Sequence, residues 1–263
     1  MLYCQMYDVA PAIVPQGGVV RVHVSASADA AKMNGRTIRL FAQADGSVLG
    51  LMPVPANEKP GKYTLEIFDK SANRVHADEI TVRDAHFPSQ NIILSKQLSE
   101  LQPSPGENET VSEFRNAVSD VRYWSEPFAA PVSGCLTSPF GVRRLHNGKP
   151  TGDYHAGFDQ RSPAGGPIRA LAGGVVKIVR KYNLHGGTVA IDHGQGVESI
   201  YLHMSKFATR EGALVGKGDV IGYAGSTGRS TGPHLHWSIY VNGVPVNPAR
   251  WVHTVACETK RTR

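Results

Sequence analysis

Seven of the eleven histidines fall within residues 131–251, in groupings whose spacing suits metal chemistry. In His155-Ala156-Gly157-Phe158-Asp159 an imidazole and a carboxylate flank a glycine. Both are zinc-type donors, and a flexible glycine between them lets them turn to one point. In His234-Leu235-His236-Trp237 the histidines stand two apart. On a strand they face one side, while Leu235 and Trp237 face the other. A third grouping, Tyr201-Leu202-His203, ends a strand-like run. Taken singly, each has an ordinary reading as a loop histidine, an exposed pair or a lone strand residue. Together they supply donors for a metal and spare imidazoles for proton transfer. No Cys-x-x-Cys occurs among Cys4, Cys135 and Cys257, which excludes a thiolate zinc site or a dithiol redox site.

The elements that position these residues read as short strands joined by glycine turns. Gly174–Arg180, Gly187–Asp192, Glu198–Met204 and His234–Val241 are the strands expected in the second half. Ahead of them, residues 13–86 alternate apolar and polar, as in Val19-Val20-Arg21-Val22-His23-Val24, with turns at Asp45-Gly46 and Pro60-Gly61. That pattern predicts a small immunoglobulin-like β-sandwich. His23 and His76 fall there as surface strand residues. Residues 87–130 form a connector, with helices predicted at Asn91–Leu101 and Glu109–Tyr123. In the second helix Val111, Phe114, Val118 and Val121 repeat at helical steps. The expectation is a mainly β chain: sandwich, short helical connector, antiparallel-sheet domain over 131–251, and a basic tail over 252–263.

The second half resembles the lysostaphin/LytM-type zinc peptidoglycan endopeptidases over about residues 135–250. The matching elements are His155-x-Gly157-x-Asp159, Tyr201-x-His203 and His234-x-His236, the last preceded by Gly225-Ser226-Thr227-Gly228 and Ser230-Thr231-Gly232-Pro233. Ser138-Pro139-Phe140-Gly141-x-Arg143, Ala172-Gly173-Gly174-Val175-Val176, His193-Gly194-x-Gly196 and Gly216-Lys217-Gly218-Asp219 agree with the same family. The resemblance implies that His155, Asp159 and His236 bind one zinc and that His203 and His234 are catalytic. Three protein ligands leave a position open for chemistry. It also implies peptidoglycan as substrate and an extracytoplasmic place of action. Relatives that have lost ligands act as non-catalytic activators, and that is the alternative reading. Tyr154 and Tyr201 are candidates for touching substrate. His146, His185 and His193 are expected to have no catalytic role, and Arg143 and Arg144 to support the fold or meet substrate carboxylates.

Charge is unevenly spread. Residues 1–130 hold 12 basic and 15 acidic side chains, and residues 131–251 hold 13 and 6. The basic half favours an anionic partner; an anionic wall polymer fits the motifs, and no nucleic-acid motif is present. No apolar run reaches the length of a membrane span. Met1 to Ala12 lacks a basic n-region and a long apolar stretch, so it does not read as an intact signal peptide. Cys135 and Cys257 bracket the second half; a bridge between them and free thiols are both open.

Overall fold

The computed structural model describes residues 6–25 and 27–257. Cys4 and the last six residues of the predicted basic tail lie outside them. The chain is mainly β and divides into two compact units. One takes the chain up to His86 together with Val241–Val246, and the other takes Phe87–Tyr240 together with the chain from Asn247. No helix among the described residues is long and apolar enough to cross a membrane.

In the first unit, two sheets face each other. Tyr7–Ala10, Val19–Val24, Val48–Pro53 and Phe41–Ala42 pair in one, and Ile13–Pro15, Arg74–Arg83, Gly61–Phe68, Ala30–Met33 and Arg36–Arg39 in the other. Burial alternates along Val19–Val24, so Val20, Val22 and Val24 meet Leu65, Ile67 and Ile80 in one core. His23 bonds Ser47 at 2.8 Å, and His76 stacks on Tyr7 beside Asp78.

The second unit is built on an antiparallel sheet that runs Leu136–Ser138, Phe158–Gln160, Leu235–Val241, Val197–Met204, Gly187–Gly194, Gly174–Lys181, Leu214–Val215. Gly187–Gly194 and Val197–Met204 are buried along their whole length, because both faces are covered. On one face helix Glu107–Asn116 lays Val111 and Phe114 against Ile178, Ala190, Ile200 and Leu202. Under the other face a polar network closes on itself. Leu171 N–H bonds the Tyr201 hydroxyl at 2.9 Å, which meets Ser199 Oγ at 3.0 Å; Ser199 in turn meets His193 Nε2 at 2.7 Å. His193 Nδ1–H then donates to Gly173 O at 2.7 Å. Burial pushes the His193 imidazole down to about 4, so it is a neutral structural residue, as expected.

The connector departs from the helical expectation in two places. Residues 91–101 hold the end of strand Ser89–Ile92 and a four-residue helix Lys96–Ser99. The strand pairs in parallel with Arg143–His146, a distant partner that the local pattern does not reveal. The second helix stops at Asn116, with Ala117 extended at ψ 136°. From there the chain is held at the end of strand Gly187–Gly194: Ser119 Oγ reaches Asp192, and Tyr123 N–H reaches His193 O at 2.8 Å. Val118 and Val121 are therefore exposed rather than on a helix face. Cys135 and Cys257 form a disulfide that spans 122 residues and clips the C-terminal segment to Leu136.

Glu198 is a cost within this core. It is fully buried, and neither carboxyl oxygen has a hydrogen-bond partner among the described residues. Burial, and then the nearby Asp192 charge, push its carboxyl up to about 9. In the unfolded chain it ionises near its ordinary value of 4.5, so stability is lost as pH rises from there towards 9. Glu198→Gln should therefore stabilise the protein by roughly 1–3 kcal/mol at pH 8 and change it little at pH 5. Chemical unfolding at the two pH values checks this; an equal effect at both would contradict it.

Candidate metal centre

Asp159 and His236 are direct cross-strand partners, on Phe158–Gln160 and Leu235–Val241. Neighbours at that register stand close enough for their side chains to meet. His155 enters from the turn before Phe158–Gln160, and its backbone N–H is anchored on Val142 O at 2.8 Å. Gly157 earns its place by close approach rather than flexibility: a Cβ there would lie 2.2 Å from Trp237 O and 2.3 Å from Ser238 Oγ. Only a residue without a side chain lets the turn sit on Leu235–Val241.

Three donor atoms converge. His155 Nε2 lies 3.0 Å from both Asp159 Oδ1 and His236 Nδ1, and His236 Nδ1 lies 2.8 Å from Asp159 Oδ1. The far nitrogens set the tautomers. His155 Nδ1–H donates to Pro139 O at 2.8 Å, which leaves Nε2 with its lone pair. His236 Nε2–H donates to Ser238 Oγ at 3.2 Å, which leaves Nδ1 with its own. Burial disfavours a charged Asp159, but the His155 and His236 rings outweigh it and hold the carboxyl well below the usual range. Burial pushes His236 down to about 4. Two imidazole nitrogens and a carboxylate oxygen thus meet within 3.0 Å of one another. Such a cluster can hold a cation, and two nitrogens with one carboxylate oxygen suit a divalent transition metal.

Two further histidines border it. His234 Nε2 lies 3.7 Å from Asp159 Oδ1, and its Nδ1–H donates to Gly232 O at 2.8 Å. His203 Nδ1–H donates to Thr227 O at 2.8 Å, and its ring centre is 5.0 Å from that of His234. Both rings therefore keep a lone pair at Nε2. Burial, and then the His236 and His234 rings, push His203 down to about 3. Strand alternation alone would send His203 to the face that Tyr201 occupies. His203 instead has φ 62°, a left-handed conformation that turns its side chain to the metal face. A non-glycine residue held there is a strained one, of the kind that gathers at functional sites.

The remaining candidates separate. Tyr201 is buried in the network under the opposite face and does not meet the site. Tyr154 packs edge-on against Phe140. His146 is half-buried; burial, and then the Arg229 and Arg144 charges, lower its affinity for a proton. His185 is not a free rim residue, since its Nδ1 lies 2.6 Å from buried Glu107. Arg143 is exposed. Arg144 does more than support the fold: the hairpin of Arg143–His146 and Lys149–Tyr154 brings its Nη2 to 2.9 Å from Asp159 Oδ2, leaving Oδ1 for the cation. The adjacent pair Arg143-Arg144 carries no sequence signal of which arginine turns inward.

Comparison with known proteins decides the class. Residues 153–248 match the model of Peptidase family M23. That segment, less than half of the chain, is similar to the family. A stretch of this chain is 48% identical over 113 residues to the DD-carboxypeptidase/endopeptidase Mpg of Neisseria meningitidis serogroup B, covering 43% of this chain and 26% of the relative. It is 41% identical over 112 residues to the peptidoglycan DD-endopeptidase ShyA of Vibrio cholerae, with the same coverage. The matched stretch thus spans about a quarter of the length of these curated relatives. A crystal structure of an M23 peptidase candidate from Pseudomonas aeruginosa matches 90% of this chain and 93% of its own, with 28% identity and a TM-score of 0.69. The M23 match includes all five site residues, His155, Asp159, His203, His234 and His236, and excludes the connector helix.

Proposed function

We propose that this chain is a zinc-dependent endopeptidase that hydrolyses peptide bonds in peptidoglycan stems or cross-links. The observation that carries the reading is the convergence of three donor atoms, from His155, Asp159 and His236, with two further imidazoles beside them. In this reading those three residues hold one zinc, and His203 and His234 are catalytic. When bound, zinc supplies Lewis acidity, which polarises a carbonyl and makes water a nucleophile near neutral pH.

The chain's own residues do the rest. His203 and His234 each present an Nε2 lone pair, fixed by a backbone carbonyl at Nδ1. One takes the proton of the attacking water, and a proton returns to the leaving amine. Each hydrolysis adds one water across one amide. With Nδ1 of each ring fixed on a backbone carbonyl, no ring has to rotate before the proton moves.

Charge and the relatives support the reading of substrate and place of action. The half that carries the site is strongly basic, which suits anionic wall peptides and glycans. ShyA is named a peptidoglycan DD-endopeptidase and Mpg a DD-carboxypeptidase/endopeptidase, which supports the same class of substrate. The Cys135–Cys257 disulfide fits an oxidising compartment outside the cytoplasm. The test is to incubate the zinc-loaded full chain with purified sacculi and analyse the released peptides by mass spectrometry. The expected products carry new amino and carboxyl termini with the glycan strands intact. Glycan cleavage, or no release at all, would contradict the proposal.

Arg144 supplies a narrower check. Ligating carboxylates are oriented by partners beyond the metal, and losing such a partner costs roughly 10–100-fold in metal affinity. Arg144→Met should weaken zinc by that factor in a competition titration with a chelator, while the fold is retained. Unchanged affinity would mean that Asp159 needs no such support.

A further inference from the structure

Glu107 is the first residue of the connector helix, outside the segment that matches the M23 family, and it has no solvent-exposed surface. A buried carboxylate must be satisfied, and this one is satisfied by a loop of the catalytic sheet. Its Oε1 accepts the backbone N–H of His185 at 2.9 Å and of Leu184 at 3.1 Å, and meets His185 Nδ1 at 2.6 Å. Oε2 accepts the Ser104 N–H at 2.7 Å, which closes the start of the helix. Burial would raise this carboxyl, but the backbone N–H groups of Ser104 and His185 and the His185 ring outweigh it and hold it below its ordinary value.

The same loop holds His203 at both ends. His185 O accepts the backbone N–H of His203 at 3.0 Å. Leu184 O accepts the N–H of Arg229 at 2.9 Å, and Gly187 N–H donates to Thr227 Oγ1 at 2.8 Å. Thr227 O is the acceptor for His203 Nδ1–H. The two loops touch backbone to backbone: a Cβ on Gly228, at φ 74°, would lie 2.4 Å from Gly186 N. His203 itself sits in a conformation that its own chain disfavours, so outside contacts must hold it.

We propose that Glu107 is a positioning residue for His203, acting through the loop at Leu184 and His185. The inference rests on the reading of His203 as a catalytic residue, but its placement is measurable without turnover. Displacement of a proton-transfer group by even about 1 Å costs roughly a hundredfold in rate. Losing the charged acceptor of three N–H groups frees the loop to shift by such an amount.

The test is hydrogen exchange and kinetics on the zinc-loaded full chain. In the wild type, the amides of Leu184, His185 and His203 should exchange as one unit, with a shared protection factor. In Glu107→Gln, protection of the His203 amide should fall by roughly tenfold or more, while that of His193 is unchanged. Turnover should fall by roughly 10–100-fold, with KM and zinc content near wild type. A folded, zinc-loaded Glu107→Gln with wild-type turnover would overturn the inference. If the variant does not fold, the wild-type exchange decides alone: a His203 amide that opens independently of Leu184 and His185 overturns it. A wild-type chain that hydrolyses no peptide would defeat the peptidase reading and leave the exchange coupling standing.

Discussion

His236→Ala should lose zinc and hydrolysis together. The substitution removes one of three donor atoms that lie within 3.0 Å of one another; the next imidazole nitrogen, His234 Nε2, stands 3.7 Å from Asp159 Oδ1 and would have to move to replace it. Ser238 is the other polar contact of the ring, and a hydroxyl is a poor substitute for an imidazole lone pair. Hydrolysis of wall peptides should fall by roughly a thousandfold or more, because the metal makes the nucleophile. Excess zinc should restore only part of the rate. The fold should survive, since the sheet core around Trp237, Tyr201 and Ile200 does not depend on the site. Metal analysis and rates on one preparation check the result. A zinc-free variant with wild-type turnover would contradict the ligand assignment.

His234→Ala and His203→Ala should behave differently from His236→Ala and alike to each other. Both leave the three donors in place, so zinc should stay near stoichiometric. Turnover should fall by roughly 10²–10⁴, the usual contribution of a positioned acid or base. The ring centres are 5.0 Å apart, close enough for the two to work on one reacting bond. The double variant should then lose less than the product of the single losses. If His234→Ala lost zinc and His236→Ala kept it, the roles of the two strand neighbours would be reversed.

Much of this centre was legible because the chemistry lies in short local patterns. His234 and His236 share a side because alternation on a strand requires it, and Asp159 joins them because Phe158–Gln160 pairs with that strand. The mainly β character was legible from the same alternation, as in Val19–Val24. What was not legible depends on distant contacts. The left-handed backbone of His203 separates it from Tyr201, which looks like its partner in sequence but lies in a network with Leu171 and His193. The glycine of His155-x-Gly157-x-Asp159 reads as flexible, whereas a neighbouring strand excludes any side chain there. The helical pattern of Val118 and Val121 is overridden by contacts to Asp192 and His193 at the end of a sheet strand. Arg144 and Glu107 reach their partners from 15 and 78 residues away, so neither role has a local signature.

The most direct test of the account is a zinc titration of the wild-type full chain. The protein is stripped with a chelator, the chelator is removed, and zinc is added back while release of peptides from sacculi is followed. The account predicts negligible hydrolysis at the start, then a linear rise that breaks at one zinc per chain. Full hydrolysis by the metal-free chain would contradict it.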